Sequence, residues 1–172
     1  MRTEFRISGS GGQGVITAGI MLANSAVQSG LYAVQSQSYG PEARGGSSKA
    51  EVVISTVEID YPKAVSPDYT LCLTKESYIS YGKNAPEGAK VYVDSSIAID
   101  GDSRAISVPI MEAAKEISLR SANVVAVAFL SGLTGLISED NLKAALKQQF
   151  PRFYETNLKC AEAGFEMAKK LS

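Results

Sequence analysis

Histidine is absent from the 172 residues. That removes the commonest general base near neutral pH and the commonest zinc ligand together. Cysteine is almost absent. Cys72 and Cys160 are too few for a disulfide framework, and too few for an iron–sulfur cluster, which takes about four thiolates. Cys72 sits in the apolar run Tyr69-Thr70-Leu71-Cys72-Leu73 and reads as a packed thiol. Long apolar runs are missing as well. Residues 123–137 come nearest, but the run is too short to span a bilayer and carries Ser131, Thr134 and two glycines. The charged start, Met1-Arg2-Thr3-Glu4-Phe5-Arg6-Ile7, lacks the apolar segment of a signal peptide. The expectation is a cytoplasmic chain with no membrane contact. Formal net charge is -1 with no long basic run, which argues against a nucleic-acid surface.

What is present is enough for a core. Apolar residues make up 45% and charged residues 20% of the chain, so disorder is not expected. The length suits one domain over residues 1–172. Residues 4–8 read as a buried strand, and glycines follow at once. Val15, Ile16, Ala18, Gly19, Leu22, Ala23, Ala26 and Val27 then recur at helical spacing, and Gly30 closes that helix. Further strands are expected over residues 31–35, 49–56, 69–73, 91–93 and 105–108. Residues 36–48 look too irregular for helix or strand. A short helix is expected over residues 75–81. After Pro109 the pattern turns helical: residues 110–119, then 122–133, then a helix capped by Ser138 and stopped by Pro151, then 153–171. The run 122–133 is apolar nearly all round, which predicts burial. Strands alternating with helices predict an α/β fold: a three-layer α/β/α single domain with a largely parallel or mixed sheet.

Gly9-Ser10-Gly11-Gly12-Gln13-Gly14 joins the first strand to the first helix. Glycines at 9, 11 and 14 match the G-x-G-x-x-G spacing, in which one glycine turns the chain, one admits a ligand and one lets helix and strand pack closely. The helix start behind it offers N–H groups and partial positive charge to an anion. A dinucleotide site would also want an acid about 20 residues on. Val34-Gln35-Ser36-Gln37-Ser38 supplies none. A P-loop is excluded, because no Lys-Ser or Lys-Thr follows the glycines. Three readings stay open for the loop: an anion or phosphate seat, glycines that serve packing only, or a shape made for a protein partner.

Ser38-Tyr39-Gly40-Pro41-Glu42-Ala43-Arg44-Gly45-Gly46-Ser47 is a second informative loop. Its glycines and proline set an unusual backbone path. Tyr39, Glu42 and Arg44 are the side chains in it able to recognise something, and a solvated Glu42–Arg44 pair worth little is the bland alternative. In an open sheet, loops after neighbouring strands meet at the carboxyl edge, where ligands commonly bind.

The two loops together, residues 9–15 and 38–46, resemble the gamma subunits of 2-oxoacid:ferredoxin oxidoreductases. Glu51-Val52-Val53-Ile54-Ser55, Ile59-Asp60-Tyr61-Pro62, Pro67-Asp68, Asn123-Val124-Val125-Ala126 and Leu133-Thr134-Gly135 extend the likeness along nearly the whole chain. The wording of the second loop is most similar to the 2-oxoglutarate type. Gamma subunits for pyruvate, 2-oxoisovalerate or indolepyruvate are the alternatives within the family.

The resemblance implies a gamma-type domain and a complex that converts a 2-oxoacid, coenzyme A and oxidised ferredoxin to acyl-CoA, carbon dioxide and reduced ferredoxin. It also implies thiamine diphosphate, Mg2+ and iron–sulfur clusters in that complex, held with alpha, beta and delta-type subunits. No thiamine-binding Gly-Asp-Gly…Asn pattern occurs in this chain. Asp100-Gly101-Asp102 lacks the leading glycine. The chain is therefore expected to hold no cofactor and to catalyse nothing alone. By the resemblance, Gly9, Ser10, Gly11, Gly12, Gln13 and Gly14 help seat coenzyme A. Tyr39, Gly40, Pro41, Glu42, Arg44, Gly45 and Gly46 face the active site or a partner, and Arg44 is suited to a bidentate phosphate or carboxylate contact. The rivals are a stand-alone dinucleotide-binding module and a purely structural subunit.

Overall fold

Period-two alternation decides which side chains of each strand reach the core. Phe5 and Ile7 of β1 (Arg2–Gly9) fall on one face of the sheet, and Glu4, Arg6 and Ser8 on the other. The computed structural model describes residues 1–38, 47–99 and 101–171. After β1 come α1 (Val15–Gln28), β2 (Tyr32–Ser38), β3 (Ser48–Ser55) and β4 (Tyr69–Cys72). Next are α2 (Lys75–Ser77), which runs on as a π-helical turn (Tyr78–Gly82), then β5 (Lys90–Asp94) and β6 (Ala105–Val108). The chain ends with α3 (Ile110–Ile117), α4 (Ala122–Thr134), α5 (Glu139–Gln149) and α6 (Tyr154–Lys169). Short 3-10 turns, Leu119–Ser121 and Pro151–Phe153, precede α4 and α6.

The strands form one sheet in the order β2-β3-β1-β4-β5-β6. β3 runs antiparallel to both of its neighbours, and the other pairs are parallel. The sheet is thus mixed, one of the two forms expected. Residues 36–38 continue β2 rather than opening an irregular loop. These three residues, Ser36-Gln37-Ser38, are all polar, which suits a strand that pairs on one side only.

The two faces differ in depth. Phe5, Ile7, Val52, Ile54, Leu71 and Tyr92 share one large core with Leu22, Ala26, Val125 and Phe129 of the helices. Phe129 meets Tyr92 edge-on, with centroids 5.1 Å apart. On the reverse face, Cys72, Val91 and Val93 pack with Tyr78, Ala85 and Ile97 in a smaller cluster. That layer is thin, being built on α2 and the π-helical turn that follows it. Beside it, Glu51 Oε1 accepts hydrogen bonds from Arg6 Nε at 2.8 Å and Lys49 Nζ at 2.9 Å.

α4 is the buried centre of the helical layer, and every residue from Ala122 to Ser131 is buried. Its neighbours approach closely through glycine. A Cβ on Gly164 of α6 would stand 2.7 Å from the Ala128 Cβ and 2.9 Å from the Phe129 backbone nitrogen. At the other end of the layer, Ser138 Oγ accepts the Asn141 N–H at 3.2 Å and caps α5 as expected. Among the described residues no helix is long and apolar enough to cross a membrane.

Candidate functional site

β1 and β2 point the same way on either side of β3, so both end at one edge of the sheet. Gly9 pairs with Ser48, and Ser38 pairs with Lys49. The glycine loop and the described flanks of the second loop therefore meet at that edge. Tyr39, Gly40, Pro41, Glu42, Arg44, Gly45 and Gly46 themselves lie outside the described residues.

The glycines of the first loop divide their work differently from the expected pattern. Gly14 is the N-cap of α1 and sits at φ 70°, in the left-handed region that side chains disfavour. Its carbonyl accepts the Ala18 N–H at 2.8 Å, the first bond of the helix. A Cβ there would stand 2.9 Å from Asn123 Nδ2, so Gly14 brings α1 against the start of α4. Close packing of helix on sheet is shared by Gly9, where a Cβ would be 3.1 Å from Val15 Cγ2 and 3.2 Å from the Leu73 Cβ, and Gly19, where it would be 2.7 Å from the Ala50 Cβ. Gly11 has nothing within 4 Å of such a Cβ. It faces open space, as a glycine that admits a ligand would.

Gln13 is turned inward. Its Oε1 accepts the Ser10 N–H at 2.8 Å, and its Nε2 reaches the Leu73 carbonyl at 3.4 Å. The side chain braces the loop, tying it to the end of β4. Ser10, Gly11 and Gly12 stay exposed. α1 has no side-chain cap and no acid in its first turn. Its first-turn N–H groups and positive end are left open. A cavity of about 120 Å³ lies against them, lined by Ser10, Gly11, Gly12, Gly14, Val15, Ile16, Thr17 and Ser48. Sites for whole drug-sized ligands run to about 300 Å³ or more, so this space suits a single anionic group rather than a whole nucleotide.

Asn123 joins the site from outside the two loops. It is only 9% exposed, and it touches the loop through Gly14. The one signal for it is an amide in the first turn of an otherwise apolar helix.

The cysteines do not fit a metal cluster. Both are free and fully buried, Cys72 in the thin layer and Cys160 on α6. Burial pushes the Cys72 thiol up to about 11, against partial offset by hydrogen bonds with Ser8 and Ser77. The folded chain thus keeps this proton to higher pH than the unfolded chain does. Its contribution to stability is full below the ordinary thiol value of 9.0 and is lost as pH rises towards about 11. Accordingly, neither thiol is expected to react with an aromatic disulfide reagent at about pH 8 until the chain is unfolded. Rapid labelling of the native chain would contradict this packing. Asp102 is similarly committed. It accepts the Arg104 N–H at 3.0 Å and the Tyr78 hydroxyl at 2.9 Å, and these contacts hold its carboxyl below the usual range.

The family model described as pyruvate ferredoxin/flavodoxin oxidoreductase matches residues 4–167. The 2-oxoglutarate synthase subunit KorC of Methanocaldococcus jannaschii is 40% identical over 183 aligned positions, covering 99% of this chain and 96% of KorC. Among solved structures, the gamma subunit of a keto/oxoacid ferredoxin oxidoreductase from Geobacter sulfurreducens superposes with a TM-score of 0.84 at 37% identity, over 99% of this chain and 98% of that one. The 2-oxoglutarate:ferredoxin oxidoreductase of Magnetococcus marinus, solved with 2-oxoglutarate, coenzyme A and succinyl-CoA bound, superposes with a TM-score of 0.89 at 26% identity. That match covers 99% of this chain but 32% of the other, so there the same fold is one part of a longer polypeptide.

Proposed function

This chain belongs to the pyruvate ferredoxin/flavodoxin oxidoreductase family as a gamma-type subunit, and from that premise we propose that it serves a 2-oxoglutarate:ferredoxin oxidoreductase by helping to seat coenzyme A. The observation that carries the reading is the uncapped start of α1, open to a cavity of about 120 Å³ beside Gly11. Coenzyme A brings a heavy load of phosphate, and free backbone N–H groups at a helix start are a ready seat for it. A space this small takes one phosphate, so the rest of the ligand extends onto neighbouring chains or onto the second loop. There Arg44 offers a further bidentate contact.

The role of this chain is to bind and to orient. Decarboxylation is the work of thiamine diphosphate, and electron transfer that of iron–sulfur clusters, both on alpha, beta and delta-type partners in the cytoplasm. The cluster chemistry finds no ligand set here, because Cys72 and Cys160 are packed apart in separate layers. Fixing coenzyme A near the reacting acyl group raises the effective concentration of the thiol and lowers the entropic part of the barrier.

The test is to co-express the chain with its partner subunits and assay coenzyme A-dependent ferredoxin reduction across several 2-oxoacids. The expected result is activity that requires this chain and favours 2-oxoglutarate. Preference for pyruvate or a branched 2-oxoacid would overturn the substrate. Arg44→Ala should raise the KM for coenzyme A or loosen the complex, and no change in either would remove Arg44 from the site.

A further inference from the structure

A second, larger cavity of about 450 Å³ opens between the start of α4 and the turn that joins α5 to α6. Asn123 and Asn157 line it and are 9% and 4% exposed. In each amide the acceptor half is already used. Asn157 Oδ1 accepts the Ser121 hydroxyl at 2.8 Å, and Asn123 Oδ1 accepts the Val124 N–H at 3.0 Å. The donor halves, both Nδ2 groups, have no hydrogen-bond partner among the described residues. Neither Nδ2 is sealed off, since the unpaired buried side-chain atoms among the described residues are Thr70 Oγ1 and Ser131 Oγ, so both donors stay free to meet an acceptor that enters the cavity.

The rest of the lining agrees in sign. Arg120 stands exposed at the mouth, and no acidic side chain is among the described residues that line the space. α4 starts here with no acid in its first turn, and of its first N–H groups that of Ala122 is bonded to the Leu119 carbonyl and that of Val124 to Asn123 Oδ1. Phe150 and Phe153 supply an apolar wall. We propose that this cavity is a binding site for a small oxyanion, carboxylate or phosphate, carried on an apolar or aromatic body. The anion lies against Asn123 and Asn157, and the body lies against the phenylalanines. A small ligand fits better than a protein surface because the open donors belong to residues more than nine-tenths buried, below the reach of a flat partner. The site goes beyond the seat proposed at the glycine loop and meets it only where Asn123 touches Gly14.

Binding of benzoate, phenyl phosphate and the neutral control benzamide is to be followed on the side-chain amide signals of Asn123 and Asn157. The measurement is made first on the full chain and then on the assembled complex. Benzoate and phenyl phosphate should shift both amides saturably, and benzamide should bind at least about tenfold more weakly. Asn157→Asp keeps the acceptor for Ser121 but turns the donor into a negative acceptor, so it should weaken benzoate by at least about tenfold while the chain still melts as a folded protein. Arg120→Gln lies at the surface, leaves the fold alone and should weaken both anions. Benzamide binding as well as benzoate, or anion binding indifferent to both substitutions, would overturn the site. So would absence of binding, or its loss on assembly, which would give the cavity to a partner surface. Coenzyme A displacing benzoate from the same amides would make this cavity part of the coenzyme A seat and overturn its independence.

Discussion

Gly164→Leu is expected to leave no folded chain, and Gly164→Ala to destabilise it by about 1–3 kcal/mol. The reason is the closeness of α6 to α4. A Cβ at Gly164 would press on the Val125 carbonyl oxygen, on the Ala128 Cβ at 2.7 Å and on the Phe129 backbone nitrogen at 2.9 Å. Two of these are backbone atoms of a helix buried from Ala122 to Ser131, which has no room to retreat. Alanine would otherwise favour the helix by about 1 kcal/mol over glycine, so the net loss measures how far overpacking exceeds propensity. For a chain of this size, each kcal/mol moves the melting temperature by about 2–4 °C. Gly132→Ala is the control. Its Cβ would meet the Ala168 Cβ at 2.7 Å and the Phe165 ring at 3.1 Å, but no backbone atom nearer than 3.6 Å, and both contacts lie on the last turns of α6, which move more easily than the buried α4. It should cost less. Gly164→Ala melting at or above the parent would show that the helices do not touch as described.

Much of this was legible in the residues. Short apolar runs bounded by turn residues marked all six strands, and an apolar run without a polar face marked α4 as buried. Strand direction was not legible, because Val52-Val53-Ile54 packs equally well on parallel and antiparallel neighbours. The antiparallel setting of β3 shows only in the pairing. The loops were readable as special backbone, since glycine spacing is a local signal. The division of labour among the glycines was not. Gly14 is needed where it is because of Asn123, which lies far along the chain, and Gly19 because of Ala50. Gln13 was expected with Gly9, Ser10, Gly11, Gly12 and Gly14 at the coenzyme A seat, and in the fold its side chain bonds Ser10 and Leu73 and braces the loop. Asn123 was hidden by its setting, a polar residue in a run that reads as core.

Gly11→Glu is expected to raise the KM for coenzyme A by at least about tenfold, equivalent to about 1.4 kcal/mol of binding, while leaving the melting temperature unchanged or slightly higher. Stability is spared for two reasons. Gly11 is not among the glycines with positive φ, and a Cβ there meets nothing within 4 Å. A carboxylate near an uncapped helix start is itself favourable by about 0.3–1 kcal/mol. The same carboxylate would compete for the N–H groups of α1 and repel a phosphate from the cavity of about 120 Å³. At saturating coenzyme A, kcat should stay near the parental value, because no group of the loop takes part in bond making. Gly14→Ala should behave in the opposite way. It forces a side chain into the left-handed region, at about 1–2 kcal/mol, and pushes on Asn123, so stability falls together with binding. The pair of variants separates a loop that seats an anion from one that serves packing alone. If Gly11→Glu leaves the KM for coenzyme A unchanged in a complex that still depends on this chain, the glycines serve packing or a protein partner. The phosphate seat must then be sought on another subunit.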